Sequence, residues 1–308
     1  MPTEAPLWSF EKLSTAFPSD GRVWTLARFA DRAHEKFGKE IVTWPDAPPP
    51  NLSAVIALGG GTLIDRAKVW RHHESAATKL FAVPSMWGSG AENSPVAVIN
   101  GAGEKEIFLG AEYLPDARLI WAELAQGASE LRRRNACGDT WSHALEGFLS
   151  PIASDALREQ LASVIRGLLR LGAADDQGWF ELSARACAGQ AQSSVGLVHG
   201  IAHVLEPRLG TGRTALGHAA LCRTFAWPVF RYDLGSPKVV GLLKNFGLEV
   251  SAIDDVLRGF FDREIYRELQ PDLAEHWKKV LRDPCTRTNS VVVRPASLSY
   301  FTEEKFDE

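Results

Sequence analysis

Residues 1–128 alternate short apolar runs with helical patterns, whereas residues 129–308 carry almost no strand signal. That change of period constrains the fold more than any other feature of the chain. In the first stretch, Arg22–Leu26, Ile41–Trp44, Ala54–Leu58, Leu80–Val83, Pro95–Asn100 and Leu119–Trp121 read as strands. Helical patterns at about Phe29–Phe37 and Leu63–His72 lie between them. Strands alternating with helices predict a mostly parallel sheet. Pro45–Pro50 (PDAPPP) reads as a rigid connector, since proline interrupts both helix and sheet. Further on, Leu157, Leu161, Val164, Ile165, Leu168 and Leu169 recur at helical spacing, and Val256, Phe260, Leu269 and Leu273 indicate more helices. The expectation is an α/β domain over residues 1–128 and an all-helical domain over 129–308. The cleft between two such domains is the default place for a ligand.

Composition narrows the partners. The chain carries 34 Lys and Arg against 38 Asp and Glu, a net charge of −4, with no basic block. That balance argues against nucleic acid as a partner. No apolar run reaches membrane-spanning length, and the segment MPTEAPLWSFEKL has no apolar core of a secretory signal. Cys137, Cys187, Cys222 and Cys285 are scattered, with no C-x-x-C pair. They read as reduced thiols of a cytoplasmic protein.

Two loops of the first domain are suited to a nucleotide. The apolar run Ser53–Leu58 enters Gly59-Gly60-Gly61-Thr62 and then a helix that carries Asp65 and Lys68. Glycines permit positive φ and close backbone approach, and a helix N-terminus offers free amides to a phosphate. Thr62 adds a hydroxyl. The pattern is neither G-x-G-x-x-G nor a Walker loop. A second loop, Ser85-Met-Trp-Gly88-Ser89-Gly90-Ala-Glu92, follows the next strand, at the edge where open α/β sheets bind ligands. Each loop taken alone is equally compatible with an ordinary turn.

The helical domain contains ligands for a metal. Asp139 and His143 are four residues apart, and so are His199 and His203. Residues i and i+4 share a helix face. His218 is a further candidate. One carboxylate and three imidazoles suit Fe(II), Zn(II), Ni(II) or Co(II), and spacing alone does not decide which histidine stays off the ion.

Together these motifs resemble the iron-containing, group III alcohol dehydrogenase family of the dehydroquinate-synthase-like superfamily. The resemblance runs from about residue 54 to 290 and keeps the family order. Gly59-Gly-Gly-Thr-x-x-Asp65-x-Ala-Lys68 is similar to G-G-G-S-x-x-D-x-A-K, and Pro84-Ser-x-x-Gly-Ser-Gly-Ala-Glu92 to P-T-x-x-G-T-G-S-E. Lys105 precedes Leu114-Pro-Asp-Ala as a family lysine precedes P-x-x-A. Asp139-x-x-x-His143-Ala-x-Glu146, Val198-His-Gly-x-Ala-His203 and Asp283-Pro-Cys-Thr-x-Thr-Asn289 resemble D-A-x-x-H-A-x-E, V-H-G-x-A-H and D-x-C-T-x-T-N.

The resemblance implies a dinucleotide-binding domain followed by a metal-binding domain. It implies NAD or NADP held by Gly59, Gly60, Gly61, Thr62, Asp65, Ser85, Ser89 and Lys105. The metal, iron(II) ahead of zinc(II), would be held by Asp139, His143, His199 and His218, with His203 as a catalytic proton relay. The implied reaction is aldehyde reduction or alcohol oxidation on a small molecule, and a homodimer is compatible with it. Departures from the pattern are a short segment ahead of Gly59, Arg28 where an acidic residue would meet ribose, and an inserted stretch at Glu206–Thr214. Arg208 and Arg213 in that stretch suit an anionic aldehyde. Trp87 and Trp141 flank the motifs as pocket or core residues. The competing functions are a dehydroquinate-synthase-like lyase or cyclase that uses NAD transiently, and a trimmed, non-catalytic relative.

Overall fold

The computed structural model describes residues 4–100, 105–209, 216–302 and 306. The chain divides into two compact units. One comprises residues 1–99, 106–128 and 176–184, the other 100–105, 129–175 and 185–308.

The first unit is built on β1 (Arg22–Thr25), β2 (Glu40–Thr43), β3 (Ala54–Gly59), β4 (Lys79–Pro84) and β7 (Ala117–Arg118), with β5 (Val96–Asn100) and β6 (Lys105–Leu109) forming a separate two-stranded ribbon. The five-stranded sheet has the order β2-β1-β3-β4-β7, and every pairing in it is parallel. Its helices are α1 (Phe10–Ala16), α2 (Ala30–Phe37) and α3 (Gly61–Glu74). β3 is buried throughout, as a central parallel strand must be. Its alternate residues feed two cores. Ala54, Ile56 and Leu58 pack with Leu13, Val23, Phe81 and Val83. Val55 and Ala57 pack with Ile64, Ala67 and Trp70 of α3. Gly59 pairs with Pro84, so both glycine-bearing loops leave the sheet at the same carboxyl edge.

Three elements differ from expectation. Leu119–Trp121 is not a strand: pairing ends at Arg118 apart from one bond, Leu119 N–H to the Ala82 carbonyl at 2.9 Å. Leu119 and Trp121 are apolar because they enter the core beside the sheet. The helical pattern at Phe29–Phe37 begins as a 3₁₀ turn at Ala27–Phe29 before α2. α1, which no pattern announced, starts where the Ser9 hydroxyl accepts the Lys12 amide and stops after a single buried anchor, Leu13.

The second unit carries α4 (Glu130–Leu149), α5 (Asp155–Arg170), α7 (Leu197–Leu209), α8 (His218–Asp233), α9 (Pro237–Asn245), α10 (Val250–Phe260), α11 (Arg263–Val280) and α12 (Leu298–Thr302), while α6 (Asp176–Ser193) is divided between the units. Ser129 and Ser154 cap α4 and α5 by accepting the amides of Arg132 and Leu157. α5 buries Leu157, Leu161, Val164, Ile165 and Leu168, one stripe as the spacing predicts. α4 is different: all residues from Ala136 to Leu149 are buried, so it runs through the interior. α7, α8 and α11 share a core that includes Ile201, Leu205, Phe225, Leu269 and Leu273. No helix among the described residues is long and apolar enough to cross a membrane.

Close helix crossing inside this unit depends on glycine. A Cβ on Gly138 of α4 would lie 2.6 Å from the Arg223 Cα of α8, so backbone would have to move. Gly138→Ala is expected to cost about 1–3 kcal/mol by overpacking. Gly241→Ala in α9, where a Cβ meets nothing within 4 Å, is expected to stabilise by up to about 1 kcal/mol through helix propensity. Denaturant unfolding of both variants checks the opposite signs.

Candidate functional site

In the first unit, β3 runs into Gly60, which precedes α3 with extended backbone, φ −77° and ψ 177°. The expected positive φ is therefore not what the triple glycine supplies; that requirement falls on Gly88 (φ 112°) and Gly90 (φ 58°) of the second loop. Close approach explains the triple glycine instead. A Cβ on Gly61 would sit 2.5 Å from Ser89 Oγ, and one on Gly59 2.7 Å from Leu63 Cδ2. A Cβ on Gly60 would meet nothing within 4 Å. No side chain caps α3, and Thr62 is exposed in its first turn. The result is an uncapped helix N-terminus beside open space, the geometry that receives a phosphate. Ser85 is buried and its Oγ has no hydrogen-bond partner. Asp65 has a different task. Its carboxylate accepts from the Lys68 ammonium at 3.1 Å and from the Val98 amide at 3.1 Å, while Lys68, wholly buried, also donates to the Val96 carbonyl at 2.6 Å. This pair ties α3 to β5.

In the second unit three helices converge on one carboxylate. Asp139 Oδ1 lies 3.8 Å from His143 Nδ1, 3.8 Å from His199 Nε2 and 3.9 Å from His218 Nε2. The Asp139 and His199 side chains are each 3% exposed. Asp139 Oδ1 and His199 Nε2 are buried without a hydrogen-bond partner. Orphaned buried acceptors facing each other are costly, and a divalent cation with nitrogen and oxygen ligands satisfies both. The residues present therefore fit the expected metal. The tightest group of ligand atoms is Asp139, His199, His218 and Cys222, all within 4.8 Å of one another. His143 stands beside this group, its ring 4.6 Å from that of His199.

A carboxylate orients His199, and an ammonium–carboxylate pair lies against His218. Glu146, one turn beyond His143 on α4, places Oε2 2.6 Å from His199 Nδ1 and accepts the Val198 amide on Oε1 at 2.6 Å. A His199 Nδ1–H donated to Glu146 leaves Nε2 as a lone pair facing Asp139. Burial pushes the Glu146 carboxyl up to about 8, against the amides of Gly196, Val198 and His199 that draw it down. Burial and then His143 hold His199 well below its usual range, and burial and then Lys105 hold His218 down. Glu206 Oε2 lies 3.5 Å from His218 Nδ1 and 2.5 Å from Lys105 Nζ. Burial raises the Glu206 carboxyl, yet His218 and Lys105 outweigh it and bring it to about 2. Lys105, expected with the cofactor loops, thus stands in the helical unit with its Nζ 3.2 Å from His218 Nδ1. Burial, then Asp139, raises the Cys222 thiol far above its ordinary range.

A second group, His203, Asp283 and Cys285, adjoins the first. His203 Nδ1 is 3.6 Å from Asp283 Oδ2, and its ring stacks 5.6 Å from that of His218. The late Asp283–Asn289 segment holds α7 in place. Asn289 accepts the Leu197 amide and donates to Asp233, and Thr288 donates to the Val195 carbonyl. Gly200 lets Thr286 approach, since a Cβ there would overlap the Thr286 hydroxyl. Arg208 donates to the Val204 carbonyl of its own helix, and Arg213 lies outside the described residues. Trp87 is in contact with Trp179 and Phe180, whereas Trp141 is fully buried in α4.

One unit is a parallel sheet with a glycine turn, and the other is a helical unit whose interior gathers a carboxylate and imidazoles. The family of iron-containing alcohol dehydrogenases matches residues 47–120. The 1-propanol dehydrogenase PduQ of Salmonella typhimurium is 28% identical over 243 residues, which cover 74% of this chain and 64% of that protein. The chain thus spans under two thirds of the length of that curated relative. Among solved structures, an iron-containing alcohol dehydrogenase from Corynebacterium glutamicum superposes with a TM-score of 0.78 at 17% identity, covering 99% of this chain and 94% of that one. A sulfoacetaldehyde reductase from Bifidobacterium kashiwanohense in complex with NAD+ gives 0.78 at 15% identity, covering 97% and 95%. Residues 47–120 thus resemble the iron-containing alcohol dehydrogenase family in sequence, and the chain shares the fold of solved proteins of that name.

Glu146→Gln tests the orientation of His199. An amide group in place of one oxygen must turn a donor toward either the Val198 N–H or the His199 Nδ1–H. Affinity for a divalent metal, measured by chelator competition, is expected to fall about 10–100-fold in a folded variant.

Proposed function

We propose that the chain is a metal-dependent, NAD(P)-linked alcohol dehydrogenase that works as an aldehyde reductase on a small carbonyl compound. The observation that carries this reading is the pair of orphaned buried atoms, Asp139 Oδ1 and His199 Nε2, facing each other beside His218. Asp139, His143, His199 and His218 are the residues we assign to an iron(II) or zinc(II) ion. When bound, such an ion acts as a Lewis acid on the carbonyl oxygen. The nicotinamide of NADH or NADPH supplies the hydride.

The remaining steps belong to the protein. The open space at Gly60 would admit the pyrophosphate, the amides of Gly61 and Thr62 would donate to it, and the α3 dipole would favour its charge. Gly59 keeps the turn tight, and Ser85 and Ser89 would lie toward the nicotinamide half. Asp65 supports this loop by fixing α3 rather than by touching the nucleotide. Lys105 acts through His218 and Glu206. His203 would supply, from Nε2, the proton that the carbonyl oxygen needs on reduction. Asp283 holds the His203 Nδ1 side, which keeps Nε2 turned to the substrate. A small anionic aldehyde is the narrower form of the proposal, in which Arg208 and Arg213 pair with the anion and Arg208 first leaves the Val204 carbonyl.

The direct test is metal analysis of protein purified without oxygen, followed by NAD(P)H oxidation with neutral and anionic aldehydes. The expected result is about one divalent ion per chain and net loss of NAD(P)H absorbance. Nucleotide turnover without net absorbance change would point to the lyase chemistry, and a folded chain retaining neither metal nor nucleotide to a non-catalytic relative. Two variants separate the parts. Gly60→Val is expected to fold, because the site is open, and to lose NAD(P)H binding by equilibrium titration. His203→Ala is expected to keep its metal and lose about 10²–10⁴-fold in turnover, whereas His199→Ala loses both.

A further inference from the structure

Each of three helices delivers a pair of ligand-type residues at i and i+4: Asp139 and His143 on α4, His199 and His203 on α7, His218 and Cys222 on α8. The third pair includes a thiol. Cys222 is fully buried, with Sγ 3.6 Å from His218 Nε2. It belongs, with Asp139, His199 and His218, to the group whose ligand atoms lie within 4.8 Å of one another. We propose that Cys222 is a direct ligand of the metal in this chain and takes the place assigned above to His143, giving an Asp139–His199–His218–Cys222 donor set that favours zinc(II) or cobalt(II) over iron(II). The inference rests on the metal reading above and refines it.

Geometry supports the set. An ion bound at ordinary nitrogen, oxygen and sulfur distances in a tetrahedron keeps its donors about 3.5 Å apart. Here Asp139–His199 is 3.8 Å, Asp139–His218 3.9 Å and His218–Cys222 3.6 Å. The two orphaned atoms, Asp139 Oδ1 and His199 Nε2, sit on side chains that are 3% exposed and face this point. Charge supports it as well. A divalent ion held by one carboxylate, one thiolate and two neutral imidazoles makes a site of zero net charge. One carboxylate and three imidazoles leave a net charge of +1 on the ion and its ligand set, the Lys105 ammonium being paired with Glu206. In a desolvated interior the neutral set is the cheaper. On metal arrival the thiol proton leaves to solvent and the sulfur–metal bond forms, with no change of oxidation state. Soft thiolate ligation then shifts preference toward zinc. Substrate oxygen would enter as a fifth ligand, which zinc tolerates.

Cobalt(II) loaded into metal-free protein reads the ligand directly, because a thiolate bound to cobalt gives an intense charge-transfer band in the near ultraviolet. The expected result is that band in the wild type, its complete loss in Cys222→Ser with cobalt still bound, and its retention in Cys285→Ser. Cobalt bound without the band would overturn the role of Cys222 and leave the metal centre standing. Loss of the band in Cys285→Ser but not in Cys222→Ser would overturn it by assigning the thiolate to the His203–Asp283–Cys285 group. No cobalt binding at all would remove both this proposal and the metal reading. If Cys222→Ser fails to fold, the wild type and Cys285→Ser still decide. Cys137 and Cys187 belong to no ligand group among the described residues, so a band kept in Cys285→Ser belongs to Cys222.

Discussion

A carboxylate without a cation is the constraint around which the helical unit is organised. Asp139 lies on the stretch of α4 where every residue is buried, and one of its oxygens has no hydrogen-bond partner. Taking a carboxylate out of water costs several kcal/mol. The nearest histidines do not supply the missing charge, since burial drives protons off His199 and His218. Lys105 does not supply it either, because its ammonium is held by Glu206. An apolar residue at position 139 would pack α4 at no such cost. The aspartate therefore makes sense as half of an ion-binding arrangement, and its neighbours are arranged to complete the other half.

Support for that arrangement comes from two distances. Close in, Glu146 takes the Nδ1 side of His199, Lys105 and Glu206 lie against the Nδ1 side of His218, and the Nε2 atoms of both rings lie within 3.9 Å of Asp139 Oδ1. Farther out, backbone contact sets where the helices run. Gly138 admits α8 to α4, and Gly200 and Gly196 admit the Asp283–Asn289 segment to α7 and to Glu146. Asn289 satisfies the first amide of α7 and also neutralises part of the cost of Asp233, whose carboxyl burial raises to about 7. A polar residue far along the chain thus fixes the start of the helix that carries His199 and His203.

The periodicities foretold the parallel sheet and the helical unit because burial on both faces of β3 and on one stripe of α5 leaves a direct trace in composition. Short or exposed elements left none: β6 has a mostly exposed face pattern, and α1 buries a single residue. Among site residues, the i,i+4 pairs marked Asp139, His143, His199 and His203 correctly as neighbours, since helix geometry alone brings them together. Cys222 stands four residues after His218, but a lone cysteine outside a C-x-x-C pair carries no metal signal in sequence. Glu146 lay inside a motif without a stated task, and Glu206 at the start of an apparent insertion. Their roles arise from contacts between helices, such as Glu146 with His199 across 53 residues, which no local pattern encodes.

The glycine motif of the first unit divides in the same way between ligand and fold. Gly61 has its space filled by Ser89, and Gly59 has its space filled by Leu63, whereas Gly60 faces none. Asp65 and Lys68 look like a polar pair waiting for a nucleotide, yet both are spent on β5. Lys68 in particular is fully buried, and a buried ammonium is stable only when carboxylate and carbonyl oxygens surround it. The motif therefore has two separate tasks open to it. Most of its residues hold α3 against the sheet, and only Gly60, Thr62 and the uncapped amides at the head of α3 remain open to a phosphate. A chain could keep the first set for stability and lose the second. For that reason the open space at Gly60, rather than the presence of the whole motif, is the feature of this unit suited to a phosphate.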